Sequence, residues 1–143
     1  MDPKLIIIFC LALFIFVAIL LLRKQKNAPK NEKIKFILKR LEYGNELNQL
    51  TIKDLTQYAK LNNCPDAMFM QGITFSKGIH LLHELQETVF STENRLKLTA
   101  VNQSVPQLEE GLKKLETYIQ HIIDIRTIFD FNFKNKIRAD HSV

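Results

Sequence analysis

The sequence predicts an all-α protein, an N-terminal transmembrane helix followed by a small cytosolic helical bundle of about four helices. Three observations carry that expectation. Residues 5–22 are eighteen consecutive uncharged, apolar side chains. Beyond them, apolar residues recur at steps of three and four, most regularly as Leu108, Leu112, Leu115, Ile119 and Ile122. Strict alternation of apolar and polar residues, the mark of a half-buried strand, is rare, and no internal repeat is evident.

The apolar run comes first in the chain and in the argument. At about 1.5 Å per residue it makes a helix of roughly 27 Å, close to a bilayer core of about 30 Å. A cleaved signal peptide has a shorter apolar stretch and a small-x-small site behind it, whereas here Leu20, Leu21 and Leu22 run into Arg23, Lys24, Lys26, Lys30 and Lys33. Residues 1–26 therefore read as an uncleaved single-pass signal-anchor with a basic stop-transfer flank. Only Lys4 precedes the span, so the positive-inside rule leaves the N-terminus outside and the C-terminal domain in the cytoplasm. Arg23, Lys24, Lys26, Lys30 and Lys33 are the expected membrane-surface residues, contacting anionic lipid head groups at about 1 kcal/mol each. The span has no pair of small residues four apart, so close self-association through it is not signalled, and Cys10 lies too deep for palmitoylation.

Residues 27–31, with Pro29, read as a short linker. A helical bundle is expected over residues 32–130. Ile34, Ile37, Leu38 and Leu41 form the stripe of a first, basic amphipathic helix that Gly44 caps. Thr51 with Asp54 resembles the cap of a second, buried through Ile52, Leu55, Tyr58 and Ala59 and ending near Asn62 or Asn63. From Asp66 to about Phe90, apolar residues surround most of a third helix, with Gly72, Ser76 and His83 along one line where a neighbour approaches. Ser91 and Thr92 open a break, and the stretch containing Leu96, Leu98 and Val101 is helix or loop. Ser104 then caps a last helix with Pro106 in its first turn. Residues 131–143 lose the period and read as a basic, flexible tail.

Charge separates along the chain, +7 over residues 23–40 and −2 over residues 41–143. A nucleic-acid binder spreads positive charge over its folded face, so this distribution argues for a membrane and against nucleic acid. Cys10 lies in the bilayer and Cys64 in the domain, so the two cannot pair in that topology, consistent with a reducing compartment, and Cys64 has no adjoining base to activate it.

His80, His83 and Glu84, with Glu87, are the most suggestive polar cluster, with metal-like spacing in pieces, and a third ligand could come from His121 or Asp124. Neither a His-Glu-x-x-His helix nor paired Glu-x-x-His helices is present, so His80, His83 and Glu84 are weak candidates and no cofactor is expected. Four glycines at Gly44, Gly72, Gly78 and Gly111 build no phosphate loop, and no nucleophile elbow exists. These exclusions point away from an enzyme. They point toward a membrane-held scaffold or assembly subunit, with a protein partner in a membrane complex and Leu108, Leu112, Leu115, Ile119 and Ile122 as interaction residues. A tethered ligand- or metal-binding module and an anionic-lipid sensor are the alternatives.

Overall fold

A computed structural model describes residues 3–100 and 102–134, the side chains of 3–14, 21–27 and 134 excepted. The protein is mostly helical, as expected. Its elements run α1 (Pro3–Leu61), β1 (Met68–Met70), β2 (Ile73–Thr74), α2 (Phe75–Thr88), α3 (Thr92–Leu98) and α4 (Val105–Phe129), closed by a π-helical turn at Asp130–Lys134. The chain divides after Lys35 into two compact units, to both of which α1 contributes.

In the first unit, Ile15, Phe16, Val17, Ile19 and Leu20 expose large apolar side chains. Among the described residues no helix is long and apolar enough to cross a membrane. Most side chains of the apolar run 5–22, and those of Arg23, Lys24 and Lys26, lie outside the described residues. Backbone through the expected linker 27–31 is helical, with Pro29 inside α1. One interior proline costs about 3 kcal/mol, which a long helix absorbs because propagation is cooperative.

The second unit is a helical bundle. Its portion of α1 has no break at Gly44, contrary to the expected cap. A Cβ there would sit 2.6 Å from a ring carbon of Phe90 and 2.9 Å from Ile119, so this glycine serves close packing. Thr51 is likewise not a cap. It is buried inside α1, and its hydroxyl donates to the Leu47 carbonyl at 2.7 Å. The helix ends where expected. Asn63 takes the left-handed conformation at φ 47°, and the Cys64 amide reaches back to the Ala59 carbonyl at 2.9 Å, the six-to-one bond of a Schellman cap.

Residues 66–74 depart most from the helix expected there. They form a two-stranded antiparallel hairpin, with Gly72 at φ 74° in its turn. That angle suits glycine and not a helix, so Gly72, Ser76 and His83 do not share a helical line. α2 starts at Phe75, where the Thr74 hydroxyl accepts from the Lys77 amide. Ser91 caps the short α3 in the stretch left open as helix or loop, and Ser104 caps α4 as expected, forming a capping box with Gln107.

The core gathers Leu55, Ala59, Phe69, Phe75, Leu82, Ile122 and Phe129. Aromatic edges and faces interlock in it, with Tyr58 stacked on Phe75 at 5.3 Å and Phe129 edge-on to Tyr58 at 5.6 Å. Phe133, expected in the flexible tail, packs 5.1 Å from Tyr58 and 5.3 Å from Phe75. Ordered helix therefore continues to Lys134, and residues 135–143 lie outside the described residues.

Candidate functional site

The stripe on α4 lies inside the bundle. Leu108, Leu115, Ile119 and Ile122 are each no more than 1% exposed, and Leu112 is half-buried. The first four, expected as interaction residues, are part of the buried core of the described fold. Hydrophobic periodicity reports burial and does not distinguish a core from a partner.

His80, His83 and Glu84 are all exposed on α2, and His121 and Asp124 are exposed on α4. Among the described residues no three potential ligands come together to hold a metal ion. His83, expected at a helix contact, is exposed. Of the basic flank, Lys30 and Lys33 are half-buried and engaged in interactions.

Polar chemistry inside the second unit is concentrated where helices meet, at residues the sequence did not single out. Arg40 on α1 holds Glu116 on α4 through two parallel hydrogen bonds, and its guanidinium lies 4.9 Å from the centre of the Tyr43 ring. The Glu116 hydrogen bond raises the Arg40 pKa further above its ordinary value, against the smaller opposing effect of burial. Lower on the same two helices, Arg126 donates to Asp54 at 3.1 Å. Between α1 and α2, the amide of buried Asn48 donates to the Leu82 carbonyl and to Gln86 Oε1, both at 2.9 Å, and Gln86 donates to Asn45. Each of these hydrogen-bonded pairs joins residues more than 30 positions apart in sequence, beyond the reach of any local signal.

Several clefts indent the bundle. One of about 270 Å³ is lined by Thr88, Asn94, Leu98, Gly111, Lys114 and Tyr118. Another of about 340 Å³ lies against Ala59, Lys60, Asn63, Pro65, Ser76 and Ile79. A third is lined by Lys113, Glu116, Thr117, Gln120, His121 and Asp124.

The outer side of α1 is different in character. Phe36, Tyr43 and Leu50 are 50%, 43% and 50% exposed, on the side away from the buried Ile37, Leu41 and Asn48. A spacing of seven aligns them, and that signal is readable in the sequence once the buried stripe of α1 is known. No family model, curated protein or solved structure matches this chain.

Proposed function

We propose that this chain is a single-pass membrane-anchored adaptor or assembly subunit, holding a helical interaction domain at the cytoplasmic face of a membrane for protein partners. The observation that carries the reading is the uncharged run of residues 5–22 abutting Arg23, Lys24 and Lys26. Exposed apolar side chains at Ile15, Phe16, Val17, Ile19 and Leu20 support it, because lipid would cover them. The basic flank then lies against anionic head groups. Confinement to a surface raises the effective concentration of the domain for other membrane-bound proteins, a function that needs no catalytic residue.

Topology is tested with a tag placed after Val143. Protease added outside intact cells should leave the tag intact and remove it only after permeabilisation. Loss of the tag without permeabilisation, or release of the protein from membranes by alkaline wash, overturns the anchored orientation. The adaptor role is tested by crosslinking in native membranes followed by mass spectrometry, where the absence of any stoichiometric companion overturns it.

A further inference from the structure

The outer row of α1 fits a second copy of this chain. In a helix seven residues return to within about 20° of the same direction, so Phe36, Tyr43 and Leu50 form one narrow apolar line. Singly exposed apolar residues are ordinary, whereas three in line on a helix make one continuous apolar row. Tyr43 is also preset for contact, since Arg40, fixed by Glu116, covers one face of its ring.

Beside this line runs a second row at the same spacing, Lys39, Glu46 and Lys53, whose charge alternates in sign. All three are exposed and none makes an ion pair within the described residues. We propose that two copies pair antiparallel through this face, about a two-fold axis beside Tyr43. Phe36 of one copy then meets Leu50 of the other. Lys39 falls opposite residue 47, one residue or about 1.5 Å from Glu46 of the second copy, and the two-fold repeats the pair. A parallel pair instead carries the two charged rows to opposite flanks of the seam, where Lys39 and Glu46 of different copies do not face each other. Charge alternation thus selects the antiparallel arrangement. The proposal stands on the second unit alone and is independent of membrane anchorage.

The test uses the full chain in detergent, with Cys10 and Cys64 changed to Ala, in two further variants, Phe36→Cys and Leu50→Cys. Mild oxidation at about 100 μM, a concentration suited to a small interface, should give disulfides between the two variants when mixed and few within either alone. Lys39→Glu or Glu46→Lys should each weaken the mixed crosslink about tenfold, by turning two attractive pairs into repulsive ones, and the double exchange should restore it. Circular dichroism of each variant checks that the surface changes leave the fold intact. Absence of the mixed disulfide, its replacement by disulfides within each variant, or indifference to the charge reversals overturns the proposal.

Discussion

Arg40 and Glu116 join in a two-pronged ion pair, Nε to Oε1 at 2.5 Å and Nη2 to Oε2 at 2.6 Å, across 76 residues of sequence. The fork geometry fixes the height of α4 against α1 as well as attracting it. Glu116 remains 40% exposed, so water and salt screen much of the attraction. A double-mutant cycle of Arg40→Ala and Glu116→Gln should return a coupling of about 1 kcal/mol in denaturant unfolding, falling with added salt. Strict additivity of the two changes would leave the pair without energetic weight.

Gly44 offers a sharper test of packing. Alanine normally gains up to about 1 kcal/mol over glycine inside a helix. Here the new methyl would meet Phe90 and Ile119 at less than contact distance. Gly44→Ala should therefore destabilise by about 1–3 kcal/mol, and Phe90→Leu in the same chain should recover part of the loss. A gain in melting temperature for Gly44→Ala alone would contradict the close approach.

The fate of Gly44 also shows what the sequence disclosed and what it withheld. Helical class, the cap at Ser104 and the buried side of α4 follow from local pattern, because periodicity and capping chemistry act within one or two turns. Gly44, Thr51 and Pro29 are ambiguous locally. A glycine ends a helix or admits a neighbour, and only Phe90 and Ile119 decide which. The hairpin at 68–74 was hidden for a related reason, since Met68, Phe69, Ile73 and Phe75 satisfy a helical and a strand reading alike, and the positive φ of Gly72 resolves it. Arg40 with Glu116 and Asn48 with Gln86 are contacts between distant elements, so they had no local trace. Among candidate sites, the exposed His80 and His83 show the limit of spacing rules: one helix supplies neighbours, but a metal site needs a second element aimed at them.

Asn48 is fully buried in the α1–α2 contact and acts there as a donor to two oxygens. Among the described residues its own Oδ1 has no hydrogen-bond partner. Asn48→Asp keeps the shape, removes both donated bonds and buries a carboxylate facing the Leu82 carbonyl. Unfolding experiments at neutral pH should register a loss of about 3 kcal/mol or more, diminishing as acid protonates the new group. Equal stability of variant and parent would mean that the amide is not held between these oxygens.

The contrast between Leu115, Ile119 and Lys114 tests the bundle as a whole. Leu115 and Ile119 are each 1% exposed, so Leu115→Asp or Ile119→Asp must bury an unpaired carboxylate or pull α4 from the core. A domain of this size has about 5–10 kcal/mol of stability, and either change should abolish its cooperative melting. Lys114 lies in water with its ammonium 2.7 Å from Glu110, and Lys114→Asp should leave the transition close to that of the parent. It should nevertheless move one observable. The hydrogen bond and charge of Lys114 hold the Glu110 carboxyl below its ordinary pKa, so the stability they lend is present at neutral pH and fades as pH falls through the native value. In the Lys114→Asp chain the Glu110 resonance followed by NMR should titrate at higher pH than in the parent. Cooperative melting of Ile119→Asp at the parent temperature would show that α4 does not close the bundle through this stripe, and an unmoved Glu110 titration would show that the exposed pair is not formed in solution.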